Sequence, residues 1–343
     1  MDTPDLGNVV KALIRIHYNE EDYNHHWGGH YSPTTLLMTP NEIINAERIV
    51  AEPAETEPGL ELLDHELSAV PYPDIDKGIG IYAGYSDGEQ NMLLRAIRDW
   101  DAWSLIDLKR NLHKSNAHDL EDSFQEQLEG LIDPCEAVVT TGASYYRARI
   151  GYDRVEKGEL LAVNPTPRYM PFTDGDLGAP PPPLASAGRL NRQGVSYLYA
   201  GSSRDTAISE IRPHPGHLVS LGRFDATRDL KVLDFSKPTF LDFPLTDLGL
   251  EQFELTSSID RDLSRPITPE RRAAYISAQF VADLIRQRGF DGVLYRSSVS
   301  EGTNLCVFDP STMSFMPGSA SLFRTRSVIY EHEELMPPDR EGD

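Results

Sequence analysis

The sequence predicts an α+β fold, a mixed β core preceded by a mainly helical region, on three observations. Runs rich in β-branched and aromatic residues crowd the stretch from 143 to 308, helical periodicity dominates 91 to 131, and no regular strand–helix–strand alternation links the strands. The last point argues against a doubly wound sheet. The chain is expected to divide into a mainly helical N-terminal domain, 1–140, a mixed β domain, 141–312, and an irregular acidic tail, 313–343.

In the first domain Val9 to Ile16 is a short apolar segment, a loop of Gly, His and aromatic residues follows, and Pro40 to Ala51 has helical character. Asn91 to Leu112 is a stronger helix, because Leu93, Ile97, Trp100, Ser104 and Leu108 step by three or four along one face. Asp119 to Leu131 is another, with Leu120, Phe124 and Leu128 four apart and Pro134 closing it. The junction falls at Thr140-Thr141-Gly142. Ala143 to Ile150 then reads as a strand with Tyr146, Ala148 and Ile150 on one face and Arg147 and Arg149 on the other. A pair of arginines is costly to bury unless something anionic sits there, and a solvent-facing strand side is the plain alternative.

Pro180 to Pro183 should be a stiff, extended loop leading to Gly188. Val195 to Ala200 is a strand with Tyr197 and Tyr199 on one face, broken by Gly201, Ser202 and Ser203. Asp205 is placed as the N-cap of a helix from Thr206 to Arg212, which Pro213 ends. Ile208 and Ile211 would seat that helix, leaving Glu210 on the adjoining flank. Leu218 to Phe224 and Leu230 to Phe235 read as strands, and Thr268-Pro269-Glu270 starts a helix with Phe280, Val281, Leu284 and Ile285 buried. Gly289 stops it. Gly292 to Tyr295 and Asn304 to Phe308 are the last strands, and the chain is irregular after Pro310.

A formal net charge of −22 makes nucleic acid an unexpected partner, since phosphates demand a basic face. No apolar run approaches a membrane span, and Met1 to Asp5 offers no basic, apolar leader, so a cytoplasmic protein is expected. Two cysteines, Cys135 and Cys306, support neither a disulfide framework nor a zinc site. His17, His25, His26 and His30 lack a helical or cysteine context, and no metal site is expected.

Five motifs follow one another in order. They are Tyr146-Arg147-Ala148-Arg149, Gly188-Arg189-Leu190-Asn191, Tyr197-Leu198-Tyr199-Ala200, Thr206-Ala207-Ile208-Ser209-Glu210, and Gly289 to Ser298 with Asn304 to Phe308. The series, over about Ala143 to Pro310, resembles the RES domain. That resemblance implies a fold like the ADP-ribosyltransferase toxins and an enzyme that degrades NAD, commonly as the toxin of a toxin–antitoxin pair. The helical region resembles the domain that precedes RES domains in longer members.

Cleaving the nicotinamide–ribose bond places its demand on the developing oxocarbenium ion, because nicotinamide departs neutral. A carboxylate beside the ribose answers that demand, and Glu210 is the candidate. Arginine forks match a pyrophosphate, which makes Arg147 and Arg189 the expected clamps. Tyr199 offers a ring and a hydroxyl, and Arg149, Asn191, Tyr197 and Ser298 are further expected contacts to the dinucleotide. For the serine of the family name, spacing does not separate Ser297 and Ser298 from Ser277. The expected reaction is NAD and water to ADP-ribose and nicotinamide, with NAD as substrate and no resident cofactor. The rivals are an ADP-ribosyltransferase acting on a macromolecule, an NAD phosphorylase and a non-catalytic nucleotide-binding module. Among proteins, a small antitoxin blocking the site and a second copy in a homo-oligomer are the candidate partners.

Overall fold

In the computed structural model, residues 9, 12–23, 95–116, 118–156, 167–267, 274–329 and 332 are described. The helix expected over Pro40–Ala51, the start expected at Thr268, and His25, His26 and His30 lie outside them, as does nearly all of the expected frayed end, 331–343. In chain order come α1 (Trp103–Asn111), α2 (His118–Cys135), β1 (Glu136–Val139), β2 (Ser144–Ile150), β3 (Arg154–Glu156), β4 (Arg168–Met170) and α3 (Asp174–Leu177). Then follow β5 (Leu198–Gly201), α4 (Arg204–Glu210), β6 (Leu218–Ala226), β7 (Leu230–Asp234), α5 (Asp247–Ser264) and α6 (Ile276–Gln287). The chain closes with β8 (Gly292–Arg296), β9 (Thr303–Val307), β10 (Met313–Phe315) and β11 (Ser321–Arg324). Mixed helices and strands without βαβ repetition make this the α+β class.

Two compact units form. One takes the residues up to Ala137 with Gly188–Leu190 and Lys231–Arg296; the other takes Val138–Ala187, Asn191–Leu230 and the residues from Ser297 onward. The chain therefore crosses between units several times.

In the first unit β7 and β8 pair in parallel, from Val232↔Gly292 to Asp234↔Leu294. Of the helix expected over 91–112, the described residues are helical from Trp103 to Asn111, and 95–102 are not. Residues 97–99 are a turn, and tertiary partners occupy the groups that a helix would have used: Ser258 Oγ accepts from Ala102 N at 2.7 Å, and Arg261 donates to the carbonyls of Ile97, Arg98 and Trp100. Helix α2 ends at Cys135, one residue past the proline expected to close it. The 18-residue α5 was not expected at all. Its buried side combines Leu255, Ile259 and Leu263 with Thr256, Ser258 and Asp260, so polar residues interrupt the apolar period. The Arg296 guanidinium closes Asp260, whose pKa burial raises.

The second unit is built around β6. One edge of β6 carries β2 in antiparallel register from Ser144↔Asp225 to Ile150↔Val219. The other carries β10 (Met313↔Ala226) and β11 (Ser321↔Leu221), so the region expected to be irregular after Pro310 supplies two strands. Each is too short to show an alternation, and the nine-residue β6 provides the template that orders them. Beyond β2 lie β5 and β9, paired through Tyr146↔Gly201 and from Leu198↔Val307 to Gly201↔Asn304.

Helix α4 lies on this sheet. Ala207 is buried with Ala148, Val219 and Leu221, and Ile208 and Ile211 pack beside them, as the three-residue spacing predicts. Its cap is Ser203, whose Oγ accepts from Thr206 N at 3.0 Å, not Asp205. The helix ends at Glu210 because Arg212, ahead of Pro213, takes a φ of 47°, outside the helical region that a following proline disfavours. Gly201 allows the close seat: a Cβ there would stand 2.7 Å from Ala207 N.

Candidate functional site

Glu210 sits at the last turn of α4 and points toward β9. Its Oε1 accepts two hydrogen bonds, from Ser297 Oγ at 2.6 Å and from Asn304 Nδ2 at 2.6 Å. Among the described residues, Oε2 accepts none. Ser297 begins the loop that precedes β9; its N–H donates to Gly302 O at 2.9 Å, and its Oγ also accepts from Val299 N at 3.2 Å. Asn304 is 5% exposed. A carboxylate is thus fixed through one oxygen by two neutral donors, and its charge stays available at the other.

The two remaining serine candidates stand differently. Ser298 has a buried Oγ with no partner among the described residues. Ser277 belongs to α6, where it is buried and donates to Asp262 Oδ2 at 2.8 Å. Ser297 is the one whose hydroxyl meets Glu210.

The strand arginines hold backbone carbonyls. On β2 they alternate with Tyr146 and Ala148, which pack with α4, and so they leave the strand toward α3. Arg147 Nε donates to Leu177 O at 2.8 Å and Nη1 to Tyr199 O at 2.7 Å. Burial lowers its pKa to about 10, which leaves it charged at neutral pH. Arg149 donates to Asp176 O and lies over the Phe172 ring, 4.3 Å from its centroid. The pair is met by neutral backbone carbonyls, those of Asp176 and Leu177 at the end of α3 and that of Tyr199 on β5. Two of the Arg147 nitrogens thus hold backbone carbonyls in a buried setting.

Asn191 and Tyr197 are likewise engaged by neighbouring groups of the chain. The Asn191 amide donates to Ser186 O, Arg192 O and Val195 O and its oxygen accepts from Tyr199 OH at 2.8 Å, so its side chain pins the loop before β5. Tyr197 is 4% exposed, with its ring 4.9 Å from that of Phe308. Tyr199, through its hydroxyl and its carbonyl, joins the Asn191 and Arg147 anchors. Its pairing partner Cys306 is wholly buried, and burial raises that thiol above its ordinary range, while Cys135 is pushed up to about 12. Neither thiol is a nucleophile at neutral pH.

Arg189 lies in the first unit. Its Nη1 donates to Arg265 O at 2.8 Å and Asp262 O at 3.3 Å, closing the C-terminal end of α5, and its guanidinium carbon is 5.5 Å from the Tyr275 ring centroid. Gln279 holds the neighbouring Gly188 carbonyl at 2.7 Å.

A cavity of about 340 Å³ in the second unit is lined by Asp174, Gly178, Leu198, Phe224 and Pro310 among others, and by none of the expected site residues. Among the described residues, no group of three or more His, Cys, Asp or Glu could hold a metal ion, and no helix is long and apolar enough to cross a membrane. Asn304 is the residue to which sequence reasoning gave no role. The available signal was its place at the start of the final motif, four residues ahead of Phe308.

Compared with known proteins, the chain matches the RES domain family over residues 160–322. No curated protein matches it. Among solved structures, the crystal structure of the M. tuberculosis MbcT–MbcA toxin–antitoxin complex is similar at 12% sequence identity and a TM-score of 0.31, covering 58% of this chain and 92% of that chain.

Proposed function

We propose that this chain, which carries a RES domain, is an NAD glycohydrolase that acts as a toxin, with Glu210 as its catalytic carboxylate. The observation that carries the reading is the asymmetric grip on Glu210, in which Ser297 and Asn304 hold Oε1 and Oε2 is left to the sugar. In the reaction the C1′–N bond breaks with its electron pair going to the pyridinium ring, so nicotinamide leaves neutral without a general acid. The ribose becomes cationic at C1′ and the nearby carboxylate stabilises it while accepting the 2′-hydroxyl hydrogen bond. Water then forms the new C1′–O bond and loses one proton to the medium, giving ADP-ribose. Ser297 fits the role of the serine in the family name. Arg189 enters as the dinucleotide contact on its motif alone. A small antitoxin protein is the proposed partner.

The test is incubation of purified protein with NAD and chromatography of the products. Free ADP-ribose and nicotinamide are expected, and Glu210→Gln is expected to lower turnover by about 1,000-fold, the scale of losing one main electrostatic stabiliser. Label from NAD retained in macromolecules would show transfer instead, and dependence on inorganic phosphate would show phosphorolysis. Intact NAD would overturn the reading. Induction in a bacterial host should deplete NAD and arrest growth, with Glu210→Gln sparing both.

A further inference from the structure

We propose that Asn304 is a positioning residue that aims the Glu210 carboxylate, an inference that rests on the reading of Glu210 as the group that meets the ribose. The strand places it for this task. Asn304 opposes Gly201 in the β5–β9 register, and α4 lies close against Gly201, where a Cβ would stand 2.7 Å from Ala207 N, so the row that lacks a side chain on β5 brings the last turn of α4 within reach of β9. A second absent side chain helps. At Gly302 a Cβ would stand 2.1 Å from Thr206 Oγ1, so the loop from Ser297 also lies directly against the helix.

Glutamate has three side-chain rotors, and Glu210 is held at the C-terminal end of a helix, where the backbone dipole disfavours negative charge. Two donors converging on one oxygen fix the carboxylate plane and offset that field. Their chemistry matters as much as their number. A lysine or arginine would hold Oε1 as firmly and would also cancel the charge that a nascent oxocarbenium ion needs. An amide and a hydroxyl hold it and leave the charge in place. Asn304 is the more constraining of the two, because it is buried on a strand and Ser297 is half-buried on a loop.

The experiment measures kcat and KM for NAD cleavage across pH for the full chain and for Asn304→Ala, Asn304→Asp and Glu210→Gln, with thermal unfolding of each. Asn304→Ala should lower kcat by about 100-fold, the scale of a misaimed reacting group, with KM within about threefold of the parent. Asn304→Asp should be nearly inactive at neutral pH, where two carboxylates face each other, and should recover activity on acidification as the new carboxyl gains a proton to donate. A structural role alone would not produce that acid-side recovery. If Asn304→Ala does not fold, the pH profile of Asn304→Asp decides. A kcat for Asn304→Ala within about threefold of the parent, an unshifted Asn304→Asp profile, or failure of both variants to fold at neutral pH overturns the positioning role. Failure of the underlying reading looks different: the parent chain leaves NAD intact, or Glu210→Gln cleaves it as fast as the parent.

Discussion

Arg147 shows how one side-chain chemistry serves two structural ends. A planar fork of donors matches a pyrophosphate, and it equally matches two backbone carbonyls, one at a helix end and one on a strand. Here Leu177 O and Tyr199 O take Nε and Nη1, so removing the side chain strips two carbonyls of a charged donor. Arg147→Ala should cost about 2–3 kcal/mol of stability, the usual scale for hydrogen bonds to a charged group, read as a lower denaturant midpoint. Arg147→Lys should recover less than half, because one ammonium cannot span both acceptors as a fork does. Motif order set Glu210 in series with the candidate serines but did not separate Ser297 and Ser298 from Ser277; the contact with Glu210 is what distinguishes Ser297. The intramolecular partners of the arginines on β2, of Asn191 and of Tyr197 were not legible, because residue type names the chemistry available and not the partner that takes it. Asn304 passed without a role because a strand amide carries no pattern until the opposing carboxylate is seen.

At the level of elements, sequence periodicity located α2, α4, α6 and the strands β2 and β5 to β9, each of which has a mainly apolar inner face. It failed where the deciding partners are distant. The start of α1 is set by Ser258 and Arg261, more than 150 residues away, and α5 hides its period behind buried Thr256, Ser258 and Asp260. The short β10 and β11 exist because β6 offers an edge. Stopping the chain after Pro310 should therefore leave β6 unpaired along that edge and yield aggregated protein, checked by the soluble fraction and by size-exclusion chromatography. Soluble, monomeric truncated protein would show that β10 and β11 do not protect that edge.

Across the whole molecule the charge of −22 sets the response to solution conditions. Like charges repel in the compact state, and salt screens them within about 8–10 Å at physiological ionic strength. Buried carboxyls add a second contribution of the same sign. Desolvation raises the pKa values of Glu254 and Asp260, so the native state holds their protons more tightly than the unfolded chain, and stability falls as pH rises from the ordinary carboxylate range through the raised native values. The unfolding midpoint in urea should therefore rise on adding sodium chloride and fall on raising pH above about 4, the ordinary carboxylate value. High salt should remove only the part that comes from surface repulsion. A midpoint indifferent to salt would show that the acidic groups are too far apart to strain the fold.

The acid and its two donors are far apart along the chain: Ser297 lies 87 residues after Glu210, and Asn304 lies 94 after it. A ribosome adding about 5–20 residues per second needs roughly 5–20 s to cover that distance. Throughout that interval the nascent polypeptide already displays its carboxylate but has nothing with which to orient it. Synthesis therefore imposes a short delay, written into residue order within a single reading frame, before the Glu210 carboxylate of each new molecule is oriented.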